Sequence, residues 1–221
     1  LRVFYYRMRR FSIPAPRILW NPIWIVVSSI RNVYWWFIQV FFVTPIYKGI
    51  CVKVGTNFTA GTYLPYIMGK GHIFIGDNVT FYGKQDYIFG SIKEEIPEIH
   101  IEKNTSVGHN VTFDVAGKLI IGEHCLIARN TTFQDCSGHS LNAIDRKKGV
   151  SPNANDVRPI TIGNNVWIGT GAYILPGTVI GDDCVISAYT TVGRTIPPNH
   201  LVYGAPSKVI KIRDISKIYN E

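Results

Sequence analysis

The sequence predicts an all-β protein, a parallel β-solenoid of six-residue repeats, preceded by an aromatic, basic and helical extension. Three observations carry this. From about residue 73 onward an aliphatic residue opens nearly every sixth position. Small residues, Asn and Asp recur in fixed phase with those aliphatics. Charge is divided unevenly along the chain: residues 1 to 76 hold nine Lys or Arg and no acid, whereas residues 77 to 221 hold 14 bases and 15 acids, so the first third carries the whole basic excess of a +8 protein. At 46% hydrophobic and 17% charged, the 221 residues bury enough to fold and are not a disordered chain. The four cysteines, Cys51, Cys125, Cys136 and Cys184, form no C-x-x-C pair and no dense framework, which fits reduced thiols in a cytoplasmic protein.

The extension, residues 1–72, contains the most apolar run of the chain, Ile18 to Tyr47. Arg31 divides that run into charge-free pieces of 13 and 16 residues, each short of the roughly 18 that mark a spanning helix. Ile23, Val27, Ile30, Tyr34, Phe37 and Phe41 are spaced 4, 3, 4, 3 and 4 apart, a helical seam able to pack on something. Pro22 is expected in the first turn of this helix and Pro45 at its end. A cleavable signal is disfavoured by the missing small-residue site and by Arg31. Three readings compete: a helix packed on the domain or on another subunit, a helix on the inner leaflet with Arg2, Arg7, Arg9, Arg10 and Arg17 against lipid phosphates, and, with least support, a true span. Four of the five tryptophans lie here beside the excess of base. That pairing suits an anionic membrane surface better than nucleic acid.

The repeat is clearest from Ile162-Gly163-Asn164-Asn165-Val166-Trp167, with further units opening at Ile168, Ile174, Ile180, Ile186 and Val192. The same phase runs through Ile75, Ile101, Val107, Ile121 and Ile127. A period of six suits neither a helix of 3.6 residues per turn nor a hairpin. It suits a coil of three flat faces, about 18 residues per turn and about six turns in all. The aliphatics stack inside, and Gly, Asn and Asp at the corners accept a left-handed backbone. Cys125 and Cys184 fall on the fifth, core-facing position. Tyr82 to Glu98 interrupts the repeat, and a longer polar excursion from Gln134 to Thr161 holds Ser137-Gly138-His139-Ser140 and the basic trio Arg146, Lys147 and Lys148. A solenoid gains no core from an insertion of that length, so its role is expected to be functional.

At the carboxy-terminal end, residues 160–169 (ITIGNNVWIG), 174–181 (ILPGTVIG), 196–199 (IPPN) and 203–210 (YGAPSKVI) resemble the hexapeptide-repeat acyltransferases. The likeness covers about residues 73–212, leaving 213–221 as a tail, and is greatest to the branch of maltose, galactoside and nodulation-factor O-acetyltransferases. The resemblance implies a left-handed parallel β-helix, a handedness that the period alone does not dictate. It also implies a homotrimer holding acetyl-CoA between neighbouring helices. His139 stands where the family has its catalytic histidine. Imidazoles titrate near neutrality, which suits taking a proton from a sugar hydroxyl as it attacks a thioester and returning it to the thiolate, without an acyl-enzyme. Asn110, 11 residues before Ile121, matches the family's asparagine beside the acceptor hydroxyl. Asp135 is a candidate to orient His139.

By the same resemblance Trp167, Gly169 and Thr170 line the pantetheine channel, and the backbone of Ala188 meets its amides. Arg194, Lys208 and Lys211 meet the nucleotide phosphates. The implied function is acetyl transfer to a hydroxyl of a saccharide, nucleotide-linked or lipid-linked sugar in surface polysaccharide assembly. The cysteines and the basic, apolar extension point to the cytoplasm, peripheral on the inner membrane face, and neither a metal nor a nucleic acid partner is expected. Acceptor selection is expected in residues 1–72 and 82–99, where Tyr87, Phe89, Glu94 and Glu95 stand. Rival readings are weaker. A γ-class carbonic anhydrase needs histidines five apart, and His72, His100, His109, His124, His139 and His200 contain no such pair. A xenobiotic acetyltransferase motif and a nucleotide-binding domain are lacking, and a non-catalytic scaffold needs no histidine excursion.

Overall fold

The computed structural model describes residues 15–92, 95–140 and 142–212. Arg2, Arg7, Arg9, Arg10, Glu94 and the tail 213–221 lie outside the described residues. The chain divides into two compact units, Leu1–Ile38 and Gln39–Glu221. In the first, a helix of 22 residues spans Arg17–Ile38 and buries none of them. Because the helix starts at Arg17, Pro22 falls in its second turn rather than in the first, where it was expected.

The second unit opens with a π-helical turn, Gln39–Val43, and a short helix, Thr44–Ile50. Pro45, expected to end a helix, sits instead in the first turn of this one, where a missing N–H breaks no intrahelical bond. Val43 and Tyr47 are fully buried. The Tyr47 ring packs edge-on against Phe58 at 5.4 Å and Phe81 at 5.5 Å, closing the first coil as a cap.

The solenoid has three parallel faces. The first runs Lys53–Val54, His72–Ile75, Glu98–Ile101, Lys118–Ile121, Ile160–Ile162 and Val179–Ile180. The second runs Thr80–Phe81, Ser106–Val107, Leu126–Ile127, Trp167–Ile168, Val185–Ile186 and His200–Tyr203. Lys208–Lys211 folds back antiparallel on that last strand and ends the sheet. The third runs Tyr66–Met68, Gln85–Phe89, Val111–Val115, Thr132–Gln134, Tyr173–Ile174 and Thr191–Val192. Lys53–Val54 pairs with Phe74–Ile75, so the solenoid begins well before residue 73 and takes residues 53–72 from the extension. Gln85–Phe89 is likewise a regular rung, with Tyr87 opposite Phe113, so the regular coil is interrupted between Phe89 and Glu98 and not from Tyr82. Tyr87 and Phe89 hide the phase by occupying inward positions that elsewhere hold aliphatics.

Both repeated core positions point inward. Ile162, Ile168, Ile174, Ile180, Ile186 and Val192 are at most 1% exposed, and so are the fifth-position residues Val166, Ala172, Thr178, Cys184 and Thr190. The corners separate two tasks that the sequence merges. The left-handed backbone falls on the fourth position, where Asn78, Asn104, Asn110, His124, Asn130, Asn165 and Asp183 have φ between 53° and 60°. The second-position glycines serve coil spacing instead: a Cβ on Gly169 would lie 2.5 Å from Ala188 N in the next coil. Inside the third face Tyr87, Phe113 and Phe133 stack at 5.2 and 5.6 Å. Phe113→Ala opens a cavity within that stack and is expected to cost about 3–5 kcal/mol. Urea unfolding of the two forms measures it, and coincident midpoints would refute the stack as a main support.

Candidate active site

Four of the expected cofactor residues meet in one groove. Trp167, Gly169, Thr170 and Ala188 line it with Ala128, Val185, Ile186, Ser187 and Leu201, around a volume of about 500 Å³. Register explains the gathering: Leu126, Trp167, Val185 and Leu201 are successive rungs of the second face and share its outer side. Leu126 and Trp167 are more than half exposed, so this outer ladder is apolar and open.

The three cations lie apart from the groove lining. Lys208 pairs with Tyr203 and Lys211 with His200 in the terminal hairpin. Directly paired residues share a side, and Val202 points inward while Leu201 and Tyr203 do not. Lys208 therefore lies on the same side of the second face as Trp167 and Leu201, and Lys211 on the opposite one. Lys211 borders a separate pocket of about 540 Å³ with Pro198, Asn199 and Ile212. Arg194 Nη2 donates to Ser207 O at 2.6 Å, tying the last coil to the hairpin turn.

The long excursion occupies 135–159, since Gln134 and Ile160 are still in register with Asp114 and Leu119. His139 is exposed in it. Ser137 Oγ donates to His139 O at 2.8 Å, and Ser140 accepts from Arg146 Nη1 at its carbonyl and from Asn142 N at its hydroxyl. Asn142 then caps the helix Ala143–Lys147 by accepting from Ile144 N at 2.8 Å. The turn is thus braced on both sides of the imidazole.

The carboxylate of Asp135 is engaged away from the His139 imidazole, so any hold on His139 runs through the backbone. Asp135 is fully buried, and its carboxylate accepts from Ala116 N at 2.7 Å and Gly117 N at 2.8 Å. Its own N–H donates to Asp114 O, and its carbonyl accepts from Arg158 N at 2.9 Å. One residue therefore fixes the departing end, the returning end and the tight corner beneath. Burial pushes its carboxyl up to about 6, against the two N–H bonds that favour the anion. The sequence signal was Asp as the first residue outside the repeat phase, a polar group where the core ends.

Both excursions, 90–97 and 135–159, leave the solenoid at the corner between the third and first faces, on either side of Ala116–Gly117. Ile92 joins them by packing on Ala116, Cys136 and Val157. A pocket of about 530 Å³ opens at this corner, lined by His72, Glu95, Ile96, Glu98, Gly117, Lys118 and Pro159. Glu98 accepts from His100 Nε2 and Lys118 Nζ, each at 2.9 Å. Those two partners hold its carboxyl down at about 2. Asn110 is elsewhere in kind: at φ 58° it is a corner residue, and its Nδ2 donates to Asn130 Oδ1 at 3.1 Å in the next coil. His109 accepts from Lys84 N at Nδ1, and His124 is a corner residue bonded to Asn104, both structural parts.

Residues 159–194 match the family model described as bacterial transferase hexapeptide (six repeats). The chain is 38% identical over 146 residues to the galactoside O-acetyltransferase of Escherichia coli K12, covering 66% of either protein. It is 32% identical over 167 residues to WbbJ of the same strain, a protein named for O-acetyl transfer in lipopolysaccharide biosynthesis, covering 72% of this chain and 71% of that one. The chain belongs to the hexapeptide-repeat acyltransferase family. The Bacillus cereus N-acyltransferase AntD, solved with dTDP-4-amino-4,6-dideoxyglucose and coenzyme A, superposes with a TM-score of 0.58 at 19% identity, covering 80% of this chain and 93% of that one.

The hexapeptide-repeat coil is accordingly the left-handed, three-sided β-helix. Within this acyltransferase family frame, the residues that sequence reasoning missed are the groove walls Val185 and Leu201. Nothing in either marks it alone; only the stacking of coils sets Val185 beside Trp167 and Leu201 beside Val185.

Proposed function

We propose that the protein is an O-acetyltransferase that moves the acetyl group of acetyl-CoA to a saccharide hydroxyl, in the assembly of a surface polysaccharide. One observation carries this reading: an open apolar groove lined by Trp167, Gly169, Thr170 and Ala188 occurs on the same solenoid as a braced excursion presenting an exposed histidine. The groove suits a pantetheine arm, with an indole wall, Gly169 leaving room beside it and the backbone of Ala188 for its amides. Lys208, on the same side of the sheet, suits the phosphates of the nucleotide, and Arg194 and Lys211 are further cations at that end. The names of the galactoside and lipopolysaccharide relatives support a sugar acceptor, and the ligands of AntD support CoA with a nucleotide sugar.

In this reading His139 takes the proton of the acceptor hydroxyl as that oxygen bonds to the thioester carbonyl carbon. His139 then returns the proton to sulfur as the C–S bond breaks, leaving a sugar acetate and free CoA thiol. The corner pocket suits a hydroxyl-rich acceptor, because carboxylates at Glu95 and Glu98 accept and Lys118 and His72 donate. The apolar ladder Leu126–Trp167–Val185–Leu201 suits a contact with a second copy, so three subunits would enclose three grooves. Acetyl-CoA and four free cysteines suit the cytoplasm, and the amino-terminal helix suits its membrane face.

Thiol release from acetyl-CoA with free, nucleotide-linked and lipid-linked sugars tests the reading; binding of CoA with no release for any of them would sink it. Trp167→Ala removes the indole wall and is expected to weaken acetyl-CoA binding by about 10-fold, or 1.4 kcal/mol. Calorimetric titration with CoA checks this, and an unchanged affinity would move the pantetheine arm away from the groove.

A further inference from the structure

The helix Arg17–Ile38 is amphipathic in a way that commits each of its sides. At 100° per residue, Leu19, Ile23, Val26, Ile30, Val33 and Phe37 fall within one third of the circumference. They are exposed by 46% (Phe37) to 66% (Ile30). Arg17, Asn21, Ser28, Arg31 and Asn32 fall on the opposite side. The guanidinium of Arg31 lies 5.4 Å from the ring of Trp24, also on that side. Charge of one sign accompanies this pattern, since no Asp or Glu occurs before Asp77.

We infer that this helix lies in the plane of an anionic lipid bilayer, with the Leu19–Ile23–Val26–Ile30–Val33–Phe37 side in the acyl region and the Arg17–Asn21–Ser28–Arg31 side among the headgroups. Three features select this partner and this pose. At 22 residues and about 33 Å the helix is long enough to span. A span, however, would bury the charge of Arg31 near mid-bilayer, away from water and from phosphate. In the plane, the same guanidinium stays with phosphate and the apolar side is still removed from water. The complete absence of acid before residue 77 removes repulsion from anionic headgroups. Indoles on the polar side, at Trp24 and Trp35, sit at the depth where such rings favour the interface. The inference deepens the peripheral location proposed above and is independent of the transferase reading.

The test uses the full chain and vesicles of phosphatidylcholine with and without phosphatidylglycerol, read by co-sedimentation. Wild type is expected to pellet with the anionic vesicles and much less with pure phosphatidylcholine. Ile30→Lys and Ser28→Lys add the same charge two residues apart, on opposite sides of the helix. Ile30→Lys is expected to lower partition by about ten-fold or more, whereas Ser28→Lys keeps or strengthens it. Equal binding of the two variants overturns the pose, and no binding of wild type overturns the partner. A mass in vesicle-free solution that falls only for Ile30→Lys also overturns it, by showing that another copy covers this side. Urea midpoints of the same samples show each variant folded without use of CoA, which keeps failure here distinct from failure of the transferase reading.

Discussion

His139→Ala is expected to lower acceptor-dependent thiol release from acetyl-CoA by about 10²–10⁴-fold, the loss of one general base. The loss should fall on kcat. His139 does not line the groove of Trp167 and Ala188, so affinity for CoA and KM for acetyl-CoA should be nearly unchanged. Stability should also hold, because the side chain is exposed and the turn around it is braced through backbone and neighbouring side chains rather than through the imidazole. His139→Gln keeps the size and hydrogen bonding of the ring without its basicity, and is expected to be as slow as alanine. Steady-state kinetics with the preferred acceptor, together with CoA titration, decide the matter. Release within a few-fold of wild type would place the base elsewhere, and a joint loss of activity and CoA binding would make His139 a part of the cofactor site instead.

The fold was legible wherever an aliphatic opened the unit, because Ile162 to Val192 keep both core positions in strict phase. It was illegible where the phase is carried by other residues. Val54-Gly55-Thr56-Asn57-Phe58-Thr59 is a complete unit, with Asn57 at φ 54° and Phe58 buried, yet the next one opens on Ala60, which is buried but too small to mark the phase. Gln85–Phe89 hides its place by putting Tyr87 and Phe89 inside. Pro45 misleads because proline ends a helix and begins one equally well, and only the π turn at Gln39–Val43 decides which. In the site, Trp167, Gly169, Thr170 and Ala188 converge because the 18-residue spacing sets adjacent coils in register. Asn110 is drawn the other way: spacing along the chain fits a role beside an acceptor, whereas spacing through the coil makes it a rung with Asn130. The fastening of the long excursion was invisible in sequence, since the partners of Asp135 are backbone groups 19 and 18 residues away.

Asp135→Ala is expected to lower kcat by about 10²-fold while leaving CoA affinity intact, the cost of misplacing a reacting group by about 1 Å. Asp135 touches no reacting atom; it is a positioning residue that joins the departing end of the excursion to Ala116 and Gly117 through its side chain and to Arg158 through its carbonyl. Alanine keeps the bond to Arg158 but leaves two inward-facing N–H groups without an acceptor, at a cost of about 1–3 kcal/mol. Asp135→Asn keeps one acceptor oxygen and turns an amide N–H₂ toward the other N–H, so it should fall between wild type and alanine in rate. The pH dependence separates the charge from the contact. Burial raises this carboxyl to about 6 in the folded chain, so the folded state holds the proton more tightly than the unfolded one. Its contribution to stability is therefore full below about pH 4 and is lost as pH rises through about 6, and the asparagine variant should lack that slope. Urea unfolding at pH 4.5 and pH 7 reads the slope, and kinetics at saturating acetyl-CoA read the rate. A variant that loses stability with kcat unchanged would make Asp135 a support of the coil alone, with no hold on His139.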